Sequence, residues 1–116
     1  MIIPYSKQAV SKKDIDEVLR VLKSDFLTQG PKVENFESEI SKYCGAKYSV
    51  AVNSATSALH IALMSLDLKK GDIVWTSPIT FIASANAAIY CGAKIDFIDI
   101  DKDTFNMCPE KLKKKL

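Results

Sequence analysis

Asn53-Ser54-Ala55-Thr56-Ser57 is a run of small and hydroxyl-bearing residues. It follows a short β-rich run, Tyr48–Val52, and precedes a helical pattern through Leu59, Ala62, Leu63 and Leu66. A helix that starts here exposes amides with no internal partner, and its dipole favours an anion. Small side chains let a phosphate come close to the backbone, and the hydroxyls of Ser54, Thr56 and Ser57 add donors, which makes the segment a phosphate cup. The same residues equally suit plain N-capping, worth about 1 kcal/mol, which is the commoner use of such a run. The sequence has no Gly-x-Gly-x-x-Gly and no Walker lysine, so dinucleotide and nucleoside-triphosphate motifs lack support.

A second candidate, Thr76-Ser-Pro-Ile-Thr-Phe81-Ile-Ala-Ser-Ala-Asn86, follows the next strand and opens at the same end of the sheet. Ligands of open α/β sheets bind outside the carboxyl ends of the strands. Phe81 there could lie flat on a planar ligand or pack as a core ring. A third segment, Asp25-Phe26-Leu27-Thr28-Gln29-Gly30, mixes apolar and hydrogen-bonding groups between two helices, as a ligand contact or a plain connector. Tyr5 is a further hydrogen-bonding edge or a packed ring. His60 has no acidic or nucleophilic neighbour at catalytic spacing and reads as structural. Asp99, Asp101 and Asp103 alternate like metal ligands but lack the glycine and terminal glutamate of a calcium loop, so a strand-end turn is expected and no metal site. Cys44, Cys91 and Cys108 are odd in number, far apart and without a Cys-x-x-Cys, which points to reduced thiols.

These candidates need elements to hold them. Ser11-Lys-Lys-Asp14 resembles a capping box, and Ile15, Val18, Leu19 and Leu22 recur behind it, predicting a helix over about residues 12–23. Val33, Phe36, Ile40 and Tyr43 mark a second helix, with Gly45 past its end. Strands are predicted over 48–52, 73–76 and 94–100, and helices from Asn53, over 80–90 and near Pro109. The order β-α-β-α-β-α after two leading helices predicts the α/β class, with a mostly parallel sheet flanked by helices. The organisation is expected to change at residues 47/48, from an N-terminal helical segment (1–47) to the first β-α units of a larger domain (48–116). A three-stranded parallel sheet leaves an unpaired edge, so the chain reads as a fragment.

Composition narrows the partners. The 116 residues are 47% hydrophobic and 26% charged, as expected of a globular protein. The net charge of +2 rests on 15 lysines and one arginine, scattered except at Lys113-Lys114-Lys115, so nucleic acid is not an expected partner. No apolar run approaches membrane-spanning length and no signal peptide is evident, so the expected location is the cytoplasm.

The ordered set Leu27-Thr-Gln-Gly30, Phe36-Glu37, Asn53-Ser-Ala-Thr-Ser-Ala-Leu59, Gly71-Asp72, Thr80-Phe81, Gly92-Ala93 and Asp99-Ile-Asp101 resembles the DegT/DnrJ/EryC1/StrS sugar aminotransferases along essentially the whole chain. The resemblance implies the N-terminal part of the large domain of a fold type I transferase dependent on pyridoxal 5'-phosphate. It implies that Ser54, Ala55 and Thr56 hold the cofactor phosphate and that Phe81 stacks on its ring. Tyr5, Asp25, Phe26, Leu27, Thr28 and Ala55 would touch the substrate. Within the family, the Ser-Ala-Thr form of the cup is similar to the branch that serves pseudaminic acid synthesis and flagellin glycosylation. That branch moves an amino group from glutamate to C4 of a UDP-4-keto-6-deoxy-N-acetylhexosamine, and family members are homodimers. The family's Schiff-base lysine has no match here, so no catalytic residue is assigned and the isolated chain is expected to be inactive. The competing expectations are another fold type I enzyme, such as a desulfurase or aldolase, or a non-catalytic α/β module that binds an anion or a partner.

Overall fold

A computed structural model describes residues 3–116. It divides into two compact units, the first ending at Ala51 and the second running from Val52 to Leu116. The sequence reading placed the change of organisation four residues earlier, at 47/48.

The first unit carries α1 (Lys12–Leu22) and α2 (Pro31–Cys44). The capping box at the start of α1 is complete. Ser11 N–H donates to Asp14 Oδ2 at 2.7 Å, and Asp14 N–H donates to Ser11 Oγ at 3.3 Å. Aspartate, one carbon shorter than the usual glutamate, thus closes the box. Pro31 opens α2 with a φ suited to the first turn, and Gly45 ends it in the left-handed region, at φ +66°. Lys32 Nζ reaches Glu17 of α1 at 2.9 Å. Neither helix contains a buried residue, and Ile15, Val18, Leu22, Val33 and Phe36 stay exposed.

The expected strand over 48–52 does not form. A strand needs a ladder partner for its amides, and among the described residues none runs beside this segment. Side chains of α2 bond to it instead. Ala51 N–H donates to Glu37 Oε1 at 2.7 Å, and Ser41 Oγ–H donates to Ser49 Oγ at 3.0 Å.

The second unit holds α3 (Ala55–Ser65), β1 (Ile73–Thr76), α4 (Ala83–Tyr90), β2 (Lys94–Phe97) and α5 (Pro109–Lys113). β1 and β2 pair in parallel, with Ile73 opposite Lys94 and Thr76 opposite Phe97. The sheet therefore has two strands rather than the three expected, because 48–52 is not one of them. β2 also stops at Phe97, short of Ile100. Beyond it Ile100 forms only an isolated antiparallel bridge to Met107, which turns the chain back toward α5. α4 starts at Ala83 rather than at Thr80, since Ser77–Phe81 forms a loop after Pro78.

α4 is the hub of this unit, packing on α3, β1 and β2. Its alanines 83, 85, 87 and 88 are buried together with Ala93, Ile98 and Cys108. Methyl side chains let helix and sheet approach closely, so this core is built from proximity rather than from bulk. Across the paired register, Trp75 Nε1–H donates to Asp96 Oδ2 at 3.2 Å, and Lys115 Nζ reaches the same oxygen at 2.5 Å. Lys111 Nζ donates to Asp99 Oδ2 at 2.6 Å. These bonds fasten the end of α5 to β2 and to the turn that follows it.

Candidate functional site

Ser54 is the N-cap of α3, with extended backbone, and its Oγ accepts the Ser57 N–H at 3.2 Å. Ser57 Oγ–H donates to Asn53 Oδ1 at 2.6 Å and lies 3.1 Å from Ser54 Oγ. A hydroxyl carries one proton. With that of Ser57 committed to Asn53, the bond between the two serine oxygens is donated by Ser54, so the Ser54 hydroxyl serves the cap as well. The Ser57 amide and hydroxyl both serve the cap, so Ser57 is not available as the extra donor that its type suggests. The amides of Ala55 and Thr56 find no acceptor among the described residues. Ser54 and Ala55 are exposed, Thr56 is half-buried, and the first turn carries no acidic residue. The turn thus does both things that its residue types allow: the Ser54 and Ser57 hydroxyls cap the helix, while the Ala55 and Thr56 amides are left without an acceptor. Fixed donors at the positive end of a helix dipole, with no carboxylate to compete, bind an anionic oxygen cluster.

Phe81 belongs to the same unit, in the loop that joins β1 to α4. Its carbonyl accepts the Ser84 N–H at 3.1 Å. The ring is 73% exposed, so it is not a core residue of this unit. A rigid apolar ring held outward from the carboxyl end of a strand is suited to stacking on a planar group.

The remaining candidates lie in the first unit. Asp25, Phe26 and Leu27 line a cavity of about 260 Å³, together with Arg20, Gly30 and Val33, whereas Thr28 does not line it. The turn is shaped by Gln29, in the left-handed region at φ +51°, and by the bare Cα of Gly30. A Cβ on Gly30 would come within 2.8 Å of Phe26 Cβ. Ser24 Oγ bridges this turn to α1, donating to the Val21 carbonyl at 2.8 Å and standing 3.4 Å from the Phe26 amide. Tyr5 is fully exposed. Sequence reasoning did not find the strained φ of Gln29 or the bond from Glu37 to Ala51. The only signal for the latter was the pair Phe36-Glu37, which carried no role.

The other polar candidates are structural. His60 packs edge-on to Tyr90, with ring centroids 5.4 Å apart. Asp101 Oδ1 accepts the Thr104 N–H at 2.9 Å and the Asp103 N–H at 3.1 Å, which makes the strand-end turn that the Asp-x-Asp-x-Asp spacing suggested. All three cysteines are free thiols.

The chain is similar to known proteins along nearly all its length. It is 47% identical over 110 residues to the spore coat polysaccharide biosynthesis protein SpsC of Bacillus subtilis, covering 95% of this chain and 28% of that protein. It is 46% identical over 115 residues to the UDP-4-amino-4,6-dideoxy-N-acetyl-beta-L-altrosamine transaminase of Campylobacter jejuni, covering 99% of this chain and 30% of that protein. The chain therefore spans less than a third of the length of these curated relatives. Among solved structures, it superposes on Spr1654 of Streptococcus pneumoniae, named as a sugar aminotransferase, with a TM-score of 0.93 at 34% identity. That match covers 98% of this chain and 29% of the other, in both the PLP-form and the PMP-form. The model of the DegT/DnrJ/EryC1/StrS aminotransferase family matches residues 8–116, and the chain belongs to that family.

Proposed function

We propose that this chain is part of a pyridoxal 5'-phosphate-dependent sugar-nucleotide aminotransferase. Its substrate is a UDP-4-keto-6-deoxy-N-acetylhexosamine, aminated at C4 at the expense of glutamate, a step of pseudaminic acid synthesis. The carrying observation is the start of α3, where the Ala55 and Thr56 amides stand unclaimed in an acid-free first turn behind the Ser54 cap. The name of the Campylobacter jejuni relative supports the substrate class. The PLP and PMP forms of the Streptococcus pneumoniae protein support the cofactor.

The donor set fits the group. Ala55 and Thr56 N–H and the Thr56 hydroxyl are donors toward a dianionic phosphate, the Ser54 hydroxyl joins them by turning away from Ser57 Oγ, and the small side chains of Ser54 and Ala55 keep the backbone accessible. Phe81 offers an apolar face to the planar ring. When bound, the cofactor supplies the electron sink for amino transfer. Tyr5 and Asp25–Thr28 contact the sugar nucleotide, with Asp25, Phe26 and Leu27 acting from their cavity. Ala55 also touches the substrate. The lysine that anchors the cofactor has no match in this sequence, so these residues bind and orient while the proton-transfer chemistry falls to residues elsewhere. The assembled protein acts as a cytoplasmic homodimer.

Ala55→Asp in the complete protein tests the cup. An acid at the first helical position suits the dipole, so α3 keeps its stability while the phosphate is repelled. Titration of the apo-protein with pyridoxal 5'-phosphate, followed by absorbance, is expected to show affinity at least about tenfold weaker, or about 1.4 kcal/mol. Unchanged affinity rejects the assignment.

A further inference from the structure

Ser84 lies in the first turn of α4 and is half-buried, between the buried alanines 83 and 85. α4 starts without a side-chain cap, because its N-cap residue, Ile82, has no polar group to offer. Ser84 ties the entering chain to the helix instead. Its N–H donates to the Phe81 carbonyl at 3.1 Å, and its hydroxyl oxygen stands 3.3 Å from that of Thr80. A serine inside a helix ordinarily turns its hydroxyl to solvent or to the carbonyl four residues back. Here it meets the side chain four residues back, so one residue holds the chain on both sides of the Phe81 Cα.

The other tie in this loop, from the Ile79 N–H to Ser77 Oγ at 3.3 Å, ends two residues short of Phe81. Ser84 is itself held by packing, since α4 lies on α3, β1 and β2 and its alanines form the core of this unit. A position set by that core is thus passed through two hydrogen bonds to the residue that carries the ring. Stacking is sensitive to such placement, because a gap of about 0.5–1 Å forfeits roughly a quarter to a half of the contact attraction. A loop ordered before the ligand arrives also escapes the cost of ordering on binding.

We propose that Ser84 is a positioning residue, using its hydroxyl on Thr80 and its amide on Phe81 to hold the Phe81 ring against the flat face of pyridoxal 5'-phosphate. This role rests on the reading of Phe81 as the stacking residue.

The test uses the complete protein, prepared without cofactor, as wild type and as Ser84→Ala, Thr80→Val, Thr80→Ser and the double variant Thr80→Val with Ser84→Ala. Phe81→Ala is made with and without Ser84→Ala. Alanine suits a helix interior, so Ser84→Ala keeps α4. Pyridoxal 5'-phosphate is titrated into each protein, and the visible circular dichroism of the bound cofactor reports how its ring is held. Loss of the one hydroxyl bond is expected to weaken binding about fivefold in Ser84→Ala and in Thr80→Val, with an altered dichroic band. Thr80→Ser keeps the hydroxyl and is expected to match wild type. The double variant is expected to lose no more than either single one, since both remove the same bond. Without the Phe81 ring, Ser84→Ala is expected to change nothing further. Wild-type affinity and dichroism in Ser84→Ala, additive losses in the double variant, or an undiminished Ser84→Ala effect in Phe81→Ala each overturns the positioning role. A lower Tm with affinity and dichroism kept makes the bond structural and overturns it too. Phe81→Ala that binds as tightly as wild type rejects the stacking reading, and the role of Ser84 falls with it. Weakened binding in Phe81→Ala but not in Ser84→Ala rejects the positioning role alone.

Discussion

The chemistry of the cup depends on which hydrogen-bond donors the cap consumes. Ser57 gives its amide to Ser54 Oγ and its hydroxyl proton to Asn53, so it shapes the turn rather than serving the ligand. Ser54→Ala removes the cap acceptor together with the hydroxyl proposed to reach the ligand. It is expected to cost about 1 kcal/mol of stability, read as a lower Tm of the apo-protein. It should also cost cofactor affinity, read by titration, and a Tm drop with no affinity change would limit Ser54 to capping. The run Asn-Ser-Ala-Thr-Ser was legible as a helix start in the sequence, because N-cap chemistry is local. How its hydroxyls divide the work was not, since that depends on which oxygen a single proton faces. The exposure of Phe81 was likewise open, because an aromatic in a strand-to-helix loop suits either a core or a ligand.

At the scale of elements, α1, α2, α3, β1, α4, β2 and α5 lie where periodicity and caps put them, within a few residues. The strand over 48–52 failed because β propensity says nothing about whether a partner strand exists. The turn between α1 and α2 has a tight fit that sequence could not reveal. Gly30→Ala would force its Cβ to 2.8 Å from Phe26 Cβ and 3.3 Å from the Phe26 carbonyl oxygen. The expected loss is about 1–3 kcal/mol, measured by denaturant unfolding. A variant as stable as the wild type would show that Phe26 moves freely.

Pairs of acids and bases hold the β2–α5 junction. The Lys115 ammonium, followed by the Phe97 amide, holds Asp96 below its ordinary value of 3.8, and Lys111 does the same to Asp99. Carboxylates depressed in the fold contribute stability above pH 3.8 that is lost as pH falls through their folded values. Lys111, raised above 10.5 chiefly by Asp99, contributes below 10.5 and loses that contribution as pH climbs through its raised value. The stability gap between wild type and Lys115→Ala is therefore expected to be full at pH 6 and to shrink below pH 3.8, as read from urea midpoints. A gap that stays constant down to pH 2 would mean that the pair is not what stabilises the junction.

For the molecule as a whole, the exposed apolar faces of α1 and α2 contrast with the small alanine core around α4. A polypeptide of residues 1–116 alone is expected to self-associate, seen as concentration-dependent sedimentation. It is also expected to show no turnover of a UDP-4-keto sugar with glutamate and pyridoxal 5'-phosphate. Measurable amino transfer would mean that a lysine within this chain does the chemistry. β1 and β2 are joined by residues 77–93, about half of them in α4, so the loop closes cheaply. A growing polypeptide leaving the ribosome can therefore complete this strand–helix–strand nucleus early, and the order of synthesis favours a preformed platform onto which later segments settle.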